Sequence, residues 1–314
     1  MKICFAAPEN AWGGAFGLLR AALPGHEFVA LGNYVLESLH GYDVVIPTMS
    51  RVTEPLLATA DRLRLIQQVG SGLEGVDIEA ARKRGIRVAN VPTDSCPNAD
   101  SVAELGIYMM LGLARNFRGM AASFANRKIG EPLGTTLMGK TVGIVGLGGI
   151  GKALIKRLRA FDVRLIGIKR KHTEEAAKDF GLDWSGGSQD LERLLSLSDF
   201  VVLCLPLSAD SRNLMNEKTF ASMKKGSFLI NLSRGGIVDR AALEQALATE
   251  QIAGAGLDVY WEEPVDPDDP IFRYNVFTTP HIGGSTDVSI TGIVQVVADN
   301  IRRVEKNQAP LYVK

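Results

Sequence analysis

The stretch Thr141-Val-Gly-Ile-Val-Gly-Leu-Gly-Gly-Ile-Gly-Lys152 constrains the fold more than any other part of the chain. A β-branched apolar run passes directly into Gly146, Gly148 and Gly151, and an amphipathic run follows. Strand, G-x-G-x-x-G, then helix is the arrangement that seats a dinucleotide pyrophosphate on a helix N-terminus. Gly146 permits the tight turn, Gly148 lets the backbone approach the phosphates, and Gly151 allows close helix–strand packing. Free N–H groups and a partial positive charge at the helix start favour the anion. Three glycines alone would also suit a structural turn. Their place between a strand and a helix favours the nucleotide.

The rest of the chain repeats this βα alternation, which indicates parallel sheets flanked by helices. Short apolar runs read as strands at 2–6, 28–31, 44–47, 65–69 and 88–90, then at 141–145, 164–168, 200–203, 227–231, 254–257 and 276–278. Helical patterns fall at 54–60, 78–84, 150–160, 173–180, 191–197, 217–222, 240–249 and 290–306. Residues 100–118 are apolar on most sides and read as one long buried helix, followed by a looser segment over 128–139. With 314 residues the chain exceeds the size at which one core stops growing, so two domains are expected. The last helix is expected to return to the N-terminal domain, making that domain discontinuous: 1–98 plus 287–314, with 99–286 between them.

The second βα unit bears on the choice of cofactor. An acidic residue ~20 positions after the glycines would bind a ribose 2′-OH and mark NAD. That place holds Lys169-Arg170-Lys171. Cations there attract a 2′-phosphate, and a guanidinium grips it bidentately. The expected cofactor is therefore NADP in preference to NAD. The blander alternative is a solvated basic strand end.

Three later motifs carry chemistry: Asn231-Leu-Ser-Arg-Gly-Gly-Ile-Val-Asp239, Gly256-Leu-Asp-Val-Tyr-Trp-Glu-Glu-Pro264 and Thr279-Pro-His-Ile-Gly-Gly284. Arg234, Glu263 and His281 each lie beyond an expected strand, on the sheet edge where ligands bind. Reducing a 2-oxo acid puts a hydride on the carbonyl carbon and a proton on its oxygen. Histidine suits that proton, a carboxylate at Glu263 would favour imidazolium, and arginine offers a planar fork to the substrate carboxylate. Singly, each has an ordinary reading: a surface ion pair, a loop charge, a capped loop residue. Together, beyond the strands of a dinucleotide domain, they form a candidate site.

On these motifs, with Gly70-Ser-Gly-Leu-Glu-Gly-Val-Asp77, Ser101-Val-Ala-Glu104, Leu137–Gly148 and Ser198-Asp-Phe-Val-Val-Leu203, nearly the whole chain resembles the D-isomer-specific 2-hydroxyacid dehydrogenases. The resemblance implies an α/β fold in which a Rossmann-type doubly wound parallel sheet is inserted into a flavodoxin-like substrate domain. It implies Arg234, Glu263 and His281 as the catalytic residues. Cofactor contacts are implied at Ser71, Gly146, Gly148, Gly149, Ile150, Gly151, Lys169, Arg170, Leu205, Pro206, Leu232, Ser233, Asp258 and Gly283. Ser71, Gly72 and Leu73, with Arg234, would hold the substrate. It also implies a homodimer joined through the cofactor domain. The chain departs from many relatives at Lys169, where they carry an acid, and at Cys204, near which they carry a histidine. No regulatory domain is expected after residue 314, an expectation that points away from the longer phosphoglycerate dehydrogenases and toward a glyoxylate or hydroxypyruvate reductase.

Charge and cysteines narrow the alternatives. Lys plus Arg and Asp plus Glu are 35 each, so no global field favours nucleic acid or an anionic membrane. No apolar run spans a bilayer and no secretory leader opens the chain. Cys4, Cys96 and Cys204 are odd in number and widely spaced, which fits reduced thiols in a cytoplasmic protein, with no metal site expected. Two other functions remain open: an NAD(H)-sensing corepressor-like binding protein, and a formate or phosphite dehydrogenase. The latter is disfavoured by Glu263, since formate enzymes of this superfamily pair their histidine with glutamine.

Overall fold

A computed structural model describes residues 1–170, 178 and 180–314. The chain divides into two compact units, Met1–Asn98 with Gly284–Lys314, and Ala99–Gly283. The boundary falls at Gly284, slightly earlier than the sequence suggests.

The first unit contains β1 (Lys2–Phe5), β2 (Glu27–Ala30), β3 (Val44–Ile46), β4 (Leu65–Gln67) and β5 (Arg87–Ala89). They pair in the order β2-β1-β3-β4-β5, all parallel. That is the flavodoxin-like winding. The helix Asp287–Glu305 spaces Ile290, Ile293, Val294, Val297, Ile301 and Val304 at helical intervals. Its apolar stripe is buried in one cluster with Ile3, Phe5, Leu19 and Leu65. A buried amide fixes the register: Asn300 Nδ2 donates to Gln67 Oε1 at 2.8 Å, and its Oδ1 accepts from Leu311 N at 2.6 Å.

The second unit contains β6 (Thr141–Val145), β7 (Arg164–Ile168), β8 (Trp184–Gly186), β9 (Phe200–Leu203), β10 (Ser227–Asn231), β11 (Ile252–Leu257) and β12 (Val276–Thr278). Their order is β12-β11-β10-β9-β6-β7-β8, the doubly wound Rossmann order with one strand added. β6 is buried along its whole length, as a strand covered on both faces must be. The helix Gly149–Leu158 buries Ala153, Leu154, Ile155 and Leu158 in the cluster that holds Val142 and Ile144. Each fully buried Leu contributes about 1.5–3 kcal/mol.

One sequence expectation changes, and two elements stand where none is expected. The helix read over 100–118 ends at Ala114. Asn116 takes a left-handed φ of 54°, and its side chain caps a new helix, Phe117–Ala125, by accepting from Gly119 N. The helix Ala11–Ala22 is not legible in the sequence because Gly13 and Gly14, at φ 63° and 79°, break its first turn. Strand β8 is only three residues long, too short a run to stand out in the sequence. The helix read over 173–180 falls almost wholly outside the described residues, as does Lys171. No helix of the described residues is long and apolar enough to cross a membrane.

Candidate active site

The strands of the second sheet end in register. Ile168 pairs with Val145, Val145 with Leu203, Leu203 with Asn231, Asn231 with Leu257, and Leu257 with Thr278. These residues form one row, and the chemistry-bearing residues follow immediately beyond it. The glycine loop leaves Val145, Lys169 follows Ile168, Leu205 and Pro206 follow Leu203, Leu232–Arg234 follow Asn231, Asp258 follows Leu257, and His281 lies three residues past Thr278.

The glycine loop fits a dinucleotide by its own sterics. Gly146 sits at φ 103°, and a Cβ there would lie 2.6 Å from the Cys204 carbonyl. A Cβ on Gly151 would collide with the Gly146 carbonyl. Packing therefore demands those two glycines. Gly148 is different: a Cβ there would meet no atom of the described residues within 4 Å. Among the described residues nothing requires glycine at the start of the Gly149–Leu158 helix, which is where a pyrophosphate would need an unobstructed backbone. Gly149 and Ile150 form the first turn. Burial pushes the thiol of Cys204, beside the loop, up to about 12.

Beyond β10, hydrogen bonds hold the chain in place. Ser233 Oγ donates to Leu203 O at 2.8 Å and accepts from Leu205 N at 3.0 Å, tying the β9 and β10 ends together. Asn231 Nδ2 donates to Arg234 O at 2.9 Å, and Arg234 Nη1 donates to Ser233 O at 2.7 Å. Leu232 is buried, and Arg234 is half-buried in extended backbone. A side chain on Gly235 would collide with the Tyr260 carbonyl group, so this glycine lets the Arg234 loop press against the β11 loop.

His281 is the most constrained residue of the set. Its φ of 54° is left-handed, a conformation that persists only where surrounding structure enforces it. The enforcement comes from Asp258. One of its oxygens accepts from Thr279 Oγ1 at 2.7 Å and Ile282 N at 2.8 Å, the other from Gly283 N at 2.9 Å. Burial pushes the Asp258 carboxyl up, only partly offset by these bonds and the nearby His281. Gly283 is buried with its N–H spent on Asp258 and its carbonyl accepting from Ser101 Oγ. The Tyr260 hydroxyl lies 3.0 Å from Leu257 O and 2.9 Å from Thr279 O, linking the ends of β11 and β12.

The imidazole meets Glu263: His281 Nδ1 is 2.6 Å from Glu263 Oε2. Tyr260 N donates to the other oxygen at 2.9 Å. Burial would raise the Glu263 carboxyl, yet the His281 hydrogen bond and charge, the Tyr260 N–H and the Arg234 guanidinium outweigh it. The net shift is downward, so Glu263 remains a carboxylate. It then accepts from Nδ1–H, so the nitrogen it engages is Nδ1 and not Nε2.

The second unit thus collects Arg234, Glu263 and His281 with the glycine loop and Lys169–Arg170 on one sheet edge. Ser71, Gly72 and Leu73 belong to the first unit, after β4, where Asn90 Nδ2 donates to Ser71 O at 2.7 Å and Val91 N to Gly70 O at 2.9 Å. Sequence reasoning missed Gly235 and Tyr260. Both stand inside the motifs quoted for Arg234 and Glu263, but only backbone proximity reveals what they do. Among the described residues no group of three or more His, Cys, Asp or Glu could hold a metal ion.

Comparison with known proteins bears on the family. The family model described as D-isomer specific 2-hydroxyacid dehydrogenase, NAD binding domain, matches residues 107–283. The glyoxylate reductase of Thermococcus litoralis is 36% identical over 286 residues, 88% of this chain and 84% of that protein. The D-3-phosphoglycerate dehydrogenase of Methanocaldococcus jannaschii is 35% identical over 87% of this chain, which spans only 52% of that protein's length. Among solved structures, the TT0316 protein from Thermus thermophilus superposes with a TM-score of 0.84 at 31% identity, covering 100% of this chain and 99% of its own.

Proposed function

This chain belongs to the D-isomer specific 2-hydroxyacid dehydrogenases and carries their NAD-binding domain; from that premise we propose that it reduces a small 2-oxo acid to the D-2-hydroxy acid. The carrying observation is the 2.6 Å contact between His281 Nδ1 and the ionised Glu263. The nicotinamide cofactor supplies or takes the hydride. Arg234 holds the substrate carboxylate and polarises its carbonyl. His281 Nε2 delivers a proton to the carbonyl oxygen in reduction and removes it in oxidation. Asp258, besides bracing the His281 loop, is assigned to the nicotinamide carboxamide, Leu205 and Pro206 to the adenosine side, and Leu232 and Ser233 to the nicotinamide side. Ser71, Gly72 and Leu73 are assigned to the substrate carboxylate, on resemblance alone.

Three finer readings belong to the same proposal. NADP(H) is preferred to NAD(H), supported by Lys169 and Arg170 at the end of β7. The substrate is glyoxylate or hydroxypyruvate, supported by coverage of the glyoxylate reductase for most of its length. The chain is a homodimer through the second unit, supported by exposed apolar residues there: Tyr108 at 59%, Phe124 at 88% and Leu133 at 96%.

The test is purified protein with NADPH and NADH against glyoxylate, hydroxypyruvate, pyruvate and phenylpyruvate, followed at the nicotinamide absorbance, with His281→Asn alongside. The variant should lose about two orders of magnitude or more in kcat while cofactor affinity persists. Near-normal turnover would remove His281 from the mechanism. Light scattering after size exclusion reads the dimer.

A further inference from the structure

Lys152 is the fourth residue of the Gly149–Leu158 helix, directly after the last glycine of the fingerprint. A cation is disfavoured there, because the helix N-terminus is already the positive end of the dipole. The first turn of this helix carries no acid to compensate. Among the described residues, neither Lys152, Lys169 nor Arg170 forms a salt bridge. A local rule broken without internal compensation is the mark of a functional position.

The location of the Lys152 ammonium gives the reason. Its Nζ lies 5.6 Å from the centroid of the Phe180 ring, and Lys169 Nζ lies 5.8 Å from the same centroid. One half-buried phenyl ring therefore gathers two ammonium groups, one from the pyrophosphate-binding helix and one from the end of β7. The π-face of the ring attracts each cation. Without an anion, the Lys152 ammonium is opposed by the positive end of its own helix. A dianion between the glycine loop and the β7 end would satisfy both lysines and the helix end.

We propose that Lys152 is a specificity-determining residue for the cofactor. With Lys169, and held by Phe180, it forms a two-ammonium clamp for a phosphate on the adenosine ribose. The inference rests on the NADP(H) reading above and deepens it. It adds a residue outside the basic run after β7, and an aromatic ring that positions both lysines.

The experiment compares kcat/KM for NADPH and NADH in wild type, Lys152→Met, Lys169→Met and Phe180→Leu, with inhibition by adenosine 2′-monophosphate and 5′-monophosphate. Losing one charge-assisted phosphate contact should cut the NADPH-to-NADH ratio about tenfold in Lys152→Met. Inhibition by the 2′-monophosphate should weaken by a similar factor, and much more than inhibition by the 5′-monophosphate. Phe180→Leu should move the ratio the same way by a smaller factor. If the ratio falls in Lys169→Met but is unchanged in Lys152→Met, the clamp is wrong and the cofactor reading stands. A wild type that uses NADH as well as NADPH overturns both.

Discussion

The two units share an architecture and differ in what stands at their strand ends. Both are parallel sheets wound in both directions from an early strand, β1 in one and β6 in the other. In the first unit the polar side chains at that edge brace backbone: Thr48 Oγ1 donates to Ala6 O, Gln68 Nε2 to Thr48 O, and Asn90 Nδ2 to Ser71 O. In the second, Ser233, Asp258 and Tyr260 do the same bracing, and what they brace carries Arg234, Glu263 and His281. One winding scheme thus serves as a scaffold in both cases. The assignment of chemistry lies in the loops, not in the sheet.

Three substitutions would break or sharpen this contrast. Arg234→Ala has the largest expected effect, a fall in kcat/KM of about two to three orders of magnitude, with both kcat and KM damaged and folding intact by circular dichroism. An unchanged kcat/KM would return Arg234 to the ordinary surface and leave the second unit no richer in chemistry than the first. Asn300→Ala strikes the other unit. It strips a partner from buried Gln67 and from Leu311 N, and should cost about 1–3 kcal/mol in urea unfolding while activity per folded molecule persists. Loss of turnover without loss of stability would contradict the scaffold role.

Glu263→Gln has the smallest stability effect and the most specific one, in its pH dependence. The folded Glu263 carboxyl lies below its ordinary value, so the pair's contribution is present above the unfolded carboxylate pKa of about 4.3 and is lost as pH falls through the depressed folded value. Asp258 has the opposite sign, with a raised folded carboxyl, but it is common to both proteins and cancels in the difference. The urea midpoint gap between wild type and variant should therefore be largest near neutrality and close in acid. A gap that stays constant from pH 7 down to acid would mean that Glu263 does not hold a charge-dependent bond to His281.

Legibility in the sequence followed the range of the interactions. Strands β6, β7, β9, β10 and β12 end where their β-branched runs end, because a strand buried on both faces must be apolar throughout. Gly146 was readable from the tight turn its φ of 103° makes, and Gly151 because the carbonyl it must clear, that of Gly146, lies five residues away; the Cys204 carbonyl that also excludes a side chain at Gly146 was not. The break at Asn116 was hidden because the apolar pattern runs on while a single left-handed residue stops the helix. Gly235 and Tyr260 were hidden because their partners lie on other strands, 25 and 19 residues away in the case of the Tyr260 carbonyl and Thr279.

By itself, then, the sequence determined the alternation of strand and helix, the glycine loop, and the residue types waiting beyond each strand. All of these arise from local periodicity and turn chemistry. Tertiary structure alone decided that six strand ends fall in one row, that Asp258 holds the His281 loop in a left-handed turn against Glu263, and that Lys152 and Lys169 each reach the Phe180 ring. Those outcomes depend on sheet register and on side chains meeting across elements. Both are set by burial and by hydrogen bonds between residues far apart in the chain, which no local pattern encodes.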